Sequence, residues 1–457
     1  MKAIKLSEIV KAVDGTLLSG DGETIIKEIV TDSRKVAADS LFVPLVGENF
    51  DGHDFIEKAI AGGAVASFTQ KRPETDDKGA AFVYVENTLL AMQKLAAYYR
   101  ESFPISVVGL TGSVGKTTTK EMTAAVLSKK LKTLKTEGNF NNEIGLPLTV
   151  FRLDETHEAA VLEMGMSGFG EIDRLSAIAR PNVAMITNIG MSHIELLGSQ
   201  ENIYKAKSEI FNNIKDGAAV IINGDDPILA KHKDEINHKV YTVGKNPGCD
   251  ALALDIKSDA KGVSFKFSGL GRSFDVVLNI PGEHNVYNAL FAITAGIVYG
   301  VTDEQIKTAL FDFRPTNMRM DAIEHNGYTI INDCYNAAPD SMNAALKVLS
   351  ACSGKKIAVL GDIACLGTYS YEAHRGVGAS VAANKIDVLF TVGDQAKFIA
   401  EGAFESGMDS SKIRSAETVE ELNSMLAGEI EKGCYVLIKA SRVMELERVT
   451  DFILKSL

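Results

Sequence analysis

The sequence predicts an α/β protein of three domains, organised around a doubly wound parallel sheet. Three observations predict it. The length, 457 residues, corresponds to about three domains at roughly 150 residues each. The stretch Ile105 to Lys120, ISVVGLTGSVGKTTTK, passes from an apolar run through a glycine-bearing turn into residues with helical spacing. Further apolar runs separated by helical segments recur on both sides of about Arg314, the pattern of strands covered by crossover helices.

Hydrophobic residues at 46% and charged residues at 24% are ordinary for a globular protein able to bury real cores. The net charge of -12 argues against nonspecific nucleic-acid binding, while still allowing a local basic site for an anionic substrate. Cys249, Cys334, Cys352, Cys365 and Cys434 are isolated, with no C-x-x-C pair, which fits reduced thiols in the cytoplasm. The start, MKAIKLSEIV, lacks the apolar core of a signal peptide, and no apolar run approaches the ~18 residues needed to span a membrane. Neither nucleic acid nor membrane insertion is expected, and the expected location is cytoplasmic.

Residues 1-84 read as a first domain of short strands and turns, with a helical patch near Asp54–Gly62. Two polar clusters stand in it, Thr31-Asp32-Ser33-Arg34 and Gly47-Glu48-Asn49-Phe50-Asp51-Gly52-His53. Each is either a solvated turn or a loop that grips a ligand. Lys71 to Gly79 reads as a charged loop. Asn87 then caps a connecting helix from Thr88 to about Ser102, which ends before Pro104.

The second domain, 85-313, carries the sharpest motif. Ile105 to Val108 is a strand, Gly109 to Gly115 a turn, and the run from Lys116 to about Leu131 a helix. Such a loop aims several backbone N–H groups at one point before a helix N-terminus, where an anion is favoured. Gly112 and Gly115 let the backbone approach, Ser113, Val114 and Thr118 complete the loop, Lys116 meets the outer phosphates and the Thr117 hydroxyl binds Mg2+. Leu110 stands where the strict phosphate-loop pattern has glycine, so the match is to the shorter form T-G-S-x-G-K-T. Binding of a nucleoside triphosphate with Mg2+ follows. The later runs Ala159–Leu162, Val183–Ile186, Ala218–Ile222 and Tyr241–Val243 supply strands, with ligands expected at carboxyl ends.

Glu163 closes the strand AAVLE, and His193 follows VAMITNI through a short loop. A carboxylate and an imidazole at neighbouring strand ends could ligate a metal beside the phosphates, or serve as a helix cap and a satisfied loop histidine. On a helix expected from about Gln200 to Ile214, Lys207 falls among Ile203, Ile210, Phe211 and Ile214, inside the apolar stripe. Lys205 has Glu201 and Glu209 four residues either side, an exposed salt-bridged position. A lysine aimed into a core must pair, change charge or snorkel outward. A carbamate formed with CO2 would make it an anionic oxygen ligand. The amides of Asn139, Asn141 and Asn142 suit neutral polar groups such as peptide bonds, and equally suit turns. Asn285 and Asn288 open a helix, where they read a base edge or cap.

A third domain, 314-457, is Rossmann-like, with strands Tyr328–Ile331, Lys356–Leu360, Val388–Val392 and Tyr435–Ile438 between helices near Ser341–Leu349, Tyr371–Ala383, Ala396–Phe404 and Val419–Ile430. Its first βα turn lacks G-x-G-x-x-G. Asn384-Lys385-Ile386-Asp387 spells the N-K-x-D of GTPases but precedes its strand instead of following one, and is read as coincidence.

Nearly the whole chain resembles the ATP-dependent Mur ligases of peptidoglycan synthesis. The resemblance runs through TDSR, GENFDGHDFIEKAI, TGSVGKTTTKEM, TEGNFNNEIGLPLTV, EMGMSGFGEI, TNIGMSHIELLGSQENIYKAKSEIF, GEHNVYNAL, NDCYNAAPDSM, GDIACLG and KASR. It implies a small first domain that binds the UDP of the precursor, a central ATPase domain, and a third domain closing over both. The implied partners are UDP-N-acetylmuramoyl-tripeptide and D-alanyl-D-alanine, handled by a monomer with ATP and two Mg2+. By position, Lys116 and Thr117 serve the phosphates and first Mg2+, Glu163 and His193 serve metal, and Lys207 matches the family's carbamylated lysine. Asn285 and Asn288 contact adenine, Arg319 the γ-phosphate and Asp333 the ribose. Lys116, Lys207, His193 and Arg319 form the implied catalytic set. Ser33, Arg34, Gly47, Asn49, Asp51, His53 and the Asn139, Asn141 and Asn142 loop fall on the precursor's side; Tyr335, Asn336, Ser441 and Arg442 fall in the third-domain substrate site. Three positions depart from the family motifs: Ala338, Cys365 and Ala440 replace asparagine, glutamate and glycine, which bears on the dipeptide pocket. Another amide ligase of the superfamily, such as a folylpolyglutamate synthetase-like enzyme, would differ in the first domain, and a nucleotide-switch ATPase would not need His193 or Lys207.

Overall fold

The computed structural model describes residues 1–71, 79–315 and 318–456; most of the charged loop expected at Lys71 to Gly79 lies outside them. The protein is a mixed α/β fold with parallel sheets. It divides into two compact units: Met1–Leu110, Leu131–Ala184 and Glu209–Ala218 form one, and Thr111–Lys130, Met185–Ser208 and Ala219–Leu457 the other.

In the first unit, a five-stranded sheet runs in the order Thr16–Ser19, Ala81–Tyr84, Ala64–Thr69, Ser40–Phe42 and Glu28–Val30, with Thr16–Ser19 alone antiparallel to its neighbour. Phe42, Ala59 and Ala64 pack beneath it against Val36 and Ile56. The expected patch at Asp54–Gly62 is a 3-10 turn, Gly52–Phe55, running into the helix Ile56–Ala61. The helix Thr88–Glu101 forms as expected: the Asn87 side chain accepts the Leu90 N–H at 2.9 Å, and Met92, Leu95, Ala96 and Tyr99 make its buried stripe. The strand Ala159–Glu163 pairs in parallel with Thr133–Lys135 on one side and, in the register Ala159↔Ser106 to Glu163↔Leu110, with Ser106–Thr111 on the other.

In the second unit, the helix Lys116–Leu127 packs on the helix His284–Val298. Ala219–Asn223 and Lys239–Gly244 are parallel neighbours. The expected series omits the antiparallel meander that follows, Ala251–Ser258, Val263–Gly269 and Arg272–Leu278. Its signal was alternation, as in Val263-Ser264-Phe265-Lys266-Phe267 with Val263, Phe265 and Phe267 buried. The other sheet of this unit has the order Asp321–His325, Tyr328–Asn332, Tyr435–Lys439, Lys356–Gly361, Val388–Val392 and Ile413–Ala416, all parallel except the first. Its four expected strands and the helices Pro339–Ser350, Ser370–Ala383 and Lys397–Glu405 fall within a residue or two of the sequence reading. The two outer strands were missed, and the last expected helix stops at Leu426. The N-K-x-D stretch is a connector: Asn384 donates to the Ser380 carbonyl, and the Asp387 carboxylate accepts the Lys356 N–H.

Candidate functional site

The strand Ser106–Thr111 delivers the glycine loop to the N-terminus of the helix Lys116–Leu127. Gly112 has φ 153° and Gly115 φ 79°, backbone that disfavours L side chains. A Cβ on Gly112 would lie 1.8 Å from Thr187 Oγ1. That hydroxyl donates to the Val114 carbonyl at 2.7 Å, and the Asn188 side chain accepts the Val114 N–H at 2.9 Å. The Ser113 hydroxyl accepts the Gly190 N–H at 2.8 Å. The loop is therefore held from outside by residues 187–190. Gly112→Ala is expected to push that support away at an overpacking cost of roughly 1–3 kcal/mol and to abolish nucleotide binding. Titration of the variant with Mg-ADP checks this, and wild-type affinity would refute it.

Three expected residues converge on this loop. Lys116 Nζ donates to the Gly112 and Ser113 carbonyls at 2.8 and 3.3 Å. Lys207 Nζ donates to the same Gly112 carbonyl at 3.0 Å. Lys207 is 2% exposed, as the stripe argued. Burial, reinforced by the Lys116 charge, lowers its pKa well below the ordinary lysine value. His193 stands at the start of the short helix Ile194–Leu197 in left-handed backbone, φ 66°. Burial, with Lys207 and Lys116 adding to it, pushes its imidazole down to about 4, so it is neutral at pH 7 and can offer a lone pair. The helix carrying Lys207 is shorter than expected, Gln200–Ser208 followed by a 3-10 turn. Lys205 is exposed. The two carboxylates expected beside it have other partners: Glu201 meets Lys231 and His232, and Glu209 accepts the Gly170 and Asp173 N–H groups.

Glu163 is buried at the end of its strand, where its carboxylate accepts the Asn141 amide at 2.8 Å and its N–H donates to Thr136 Oγ1 at 3.0 Å. The amide-rich loop and the strand-end carboxylate are thus one structure. Asn142 shapes the turn, accepting the Gly145 N–H at 2.8 Å, and Asn139 is exposed. Among the described residues, no three His, Cys, Asp or Glu side chains gather into a metal cluster. A divalent cation beside this loop would therefore draw on the nucleotide phosphates and, within the same unit, on groups such as the Thr117 hydroxyl and His193. A protonated Lys207 does not suit a cation.

Asn285 and Asn288 are both buried. Asn288 donates to Asn285 and accepts from the Thr119 hydroxyl at 3.0 Å, while its Oδ1 lies 2.8 Å from where a Gly115 Cβ would stand. They join the loop to the facing helix. The Arg319 guanidinium lies 3.9 Å from the Tyr335 ring centroid. Asp333 is held by Lys439, a residue sequence reasoning gave no role, at 2.6 Å. Asp226 was also missed: its carboxylate accepts the Ile189 N–H at 2.8 Å while capping the helix Pro227–His232, which fixes the loop leading to His193. Its signal was the N-cap pattern Asp-Pro.

The remaining candidates divide by environment. Ser33 is half-buried, and Arg34 is exposed and doubly bonded to the Asp32 carboxylate. Gly47 and Asn49 are exposed, but His53 is used internally: Nδ1–H faces Asp51, and Nε2 accepts the Gln70 N–H at 3.1 Å. His53→Ala is expected to cost roughly 1–3 kcal/mol, read by urea unfolding; an unchanged midpoint would contradict it. The Ser441 hydroxyl accepts the Ala364 N–H at 2.9 Å, Asn336 is exposed, and Arg442 pairs with Glu447. Of the three departures, Ala338 is buried before the helix Pro339–Ser350, with its N–H donated to Ser341 Oγ. Ala440 is buried where its methyl fits because position 361 is glycine, and Cys365 is exposed in left-handed backbone.

Comparison with known proteins gives three family matches: the Mur ligase family, catalytic domain, over residues 25–100; the Mur ligase middle domain over 110–296; and the Mur ligase, glutamate ligase domain over 318–442. The UDP-N-acetylmuramoyl-tripeptide--D-alanyl-D-alanine ligase of Bacillus subtilis is 40% identical over 99% of this chain and 98% of its own length. The crystal structure of MurF from Acinetobacter baumannii superposes with a TM-score of 0.94 at 32% identity, covering 100% of both chains. That of MurF ligase from Thermotoga maritima in complex with ADP gives 0.85 at 31%, covering 94% of this chain and 97% of that one.

Proposed function

Because the chain belongs to the Mur ligase family, we infer that its reaction is the ATP-dependent addition of D-alanyl-D-alanine to UDP-N-acetylmuramoyl-tripeptide, an amide ligation of peptidoglycan precursor synthesis. The observation that carries it is the convergence of Lys116 and Lys207 on the Gly112 carbonyl, with His193 beside them. A simple nucleotide switch has no need of the second, buried lysine.

A carboxylate is a poor electrophile. Transfer of the ATP γ-phosphoryl to the tripeptide carboxylate releases ADP and leaves an acyl phosphate. The dipeptide amine adds to that carbonyl, loses a proton, and expels phosphate as the amide forms. No protein nucleophile is needed, so the chain's part is positioning and charge neutralisation. In this reading Lys116 serves the outer phosphates, Asn285 and Asn288 the adenine, Asp333 the ribose and Arg319 the γ-phosphate. Mg2+ would supply neutralisation of phosphate charge; Thr117 and His193, and from the family resemblance Glu163, are the residues that would hold it.

Lys207 enters as a carbamate: its neutral amine adds to CO2 and loses a proton, which turns a misplaced cation into an anionic oxygen donor beside the phosphates. Its burial and lowered pKa support this reading. We place the domain boundaries at 1-84, 85-313 and 314-457, with Ser33, Arg34 and the 47–53 and 139–142 loops serving the precursor and Tyr335, Asn336, Ser441 and Arg442 the dipeptide. Among the described residues no helix is long and apolar enough to cross a membrane, and a cytoplasmic location fits the small nucleotide-linked substrates. Incubation with ATP, Mg2+, the UDP-tripeptide and D-alanyl-D-alanine should give, by mass, the UDP-pentapeptide; recovery of unchanged tripeptide would reject the assignment.

A further inference from the structure

Lys439 ends the strand Tyr435–Lys439 inside its sheet and is 2% exposed. Its ammonium has three donors, and three protein oxygens receive them: Asp333 Oδ2 at 2.6 Å, the Asn336 carbonyl at 2.9 Å and the Asp333 carbonyl at 3.4 Å. With its donors spent on protein, it acts through what it holds.

Two routes lead from it to Arg319. Asp333 Oδ1 accepts the Met320 N–H at 3.0 Å. Within the turn that Lys439 ties down at Asp333 and Asn336, the Tyr335 N–H donates to the Met318 carbonyl at 3.1 Å, and the Tyr335 ring carries the Arg319 guanidinium at 3.9 Å. Arg319 thus sits between two anchored residues, Met318 and Met320, which are both left-handed at φ 59° and 51°. Methionine adopts that backbone only where its surroundings hold it. Without the ammonium, the half-buried Asp333 carboxylate loses its counter-charge and the segment loses its hold.

We propose that Lys439 is a positioning residue of the phosphoryl-transfer step, fixing the direction of Arg319 through Asp333 and the 333–336 turn. The proposal rests on the reading of Arg319 as the γ-phosphate partner. It predicts that Lys439 matters only while Arg319 is present. The experiment compares Lys439→Met, Arg319→Ala and the double variant in the ligation assay, with Mg-ADP binding measured alongside.

Lys439→Met should lose roughly 10²-fold in kcat, the scale of a misplaced catalytic group, and a clearly smaller factor in ADP affinity, because Asp333 is read at the ribose while the phosphate loop is untouched. The double variant should be no slower than Arg319→Ala alone, a non-additive cycle. Losses that multiply, or a lowered ADP affinity that accounts for the whole defect, would overturn the role of Lys439. Near-normal activity in Arg319→Ala would instead overturn the reading of Arg319. Should Lys439→Met fail to fold, Lys439→Gln, which keeps two N–H donors, goes through the same cycle with the same deciding outcomes.

Discussion

Lys207→Ala is expected to abolish ligation, with a loss of at least about 10²-fold in kcat, the range seen when one preorganised electrostatic group is removed. The cost comes from the site and not from the core. The side chain is buried, yet its Nζ donates to the carbonyl of Gly112, in the glycine loop before the helix Lys116–Leu127. Its alkyl stem could be replaced by other apolar atoms, whereas the anionic oxygen proposed for that place could not. If Lys207 works as a carbamate, short-chain carboxylic acids should restore part of the activity of Lys207→Ala by entering the space that group would occupy. Lys207→Arg keeps a positive charge but cannot form the carbamate, and should be as inactive as alanine. Rescue by acids with no activity in the arginine variant supports the carbamate; wild-type turnover in Lys207→Arg would remove it.

The second large effect is expected at Lys116. Lys116→Met keeps the length of the stem and removes the charge, and kcat should fall by about 10²–10³-fold, as for loss of one charge-stabilising donor. Its ammonium lies over the Gly112 and Ser113 carbonyls, so exchanging these contacts for phosphate oxygens requires no large movement of the helix. Because the charge is needed most as the γ-phosphoryl transfers, ADP binding should weaken less than turnover. The ratio of the two losses, from Mg-ADP titration beside steady-state kinetics, checks this. Equal losses would make Lys116 a ground-state binding residue only.

The parts of the fold legible in the sequence are those where one local rule suffices. The phosphate loop, its strand and its helix were readable because glycine placement, apolar run and Lys-Thr agree, and Lys207 because a cation in an apolar stripe contradicts its helix. The meander Ala251–Leu278 escaped because its strands are half-exposed: alternation is weaker than the continuous apolar runs around it. The outer strands Asp321–His325 and Ile413–Ala416 escaped for the same reason. Of the site, the residues on the loop and strand ends were legible, and those that hold them were not. Lys439 and Asp226 take their meaning from partners 106 and 37 positions away; the Asp-Pro pattern announces Asp226 only as a helix cap, and nothing local points to either distant partner. His53 shows the converse: in a polar cluster that reads either as a solvated turn or as a ligand loop, its imidazole is bonded to Asp51 and to the distant Gln70 N–H.

The most direct test of the account is phosphate release from ATP and Mg2+ with UDP-N-acetylmuramoyl-tripeptide supplied and D-alanyl-D-alanine present or absent. Sustained release that requires both the acceptor carboxylate and the dipeptide amine, matched one for one by UDP-pentapeptide, is the predicted result. Sustained release indifferent to the dipeptide would contradict it, leaving an ATPase or a ligase for a different amine.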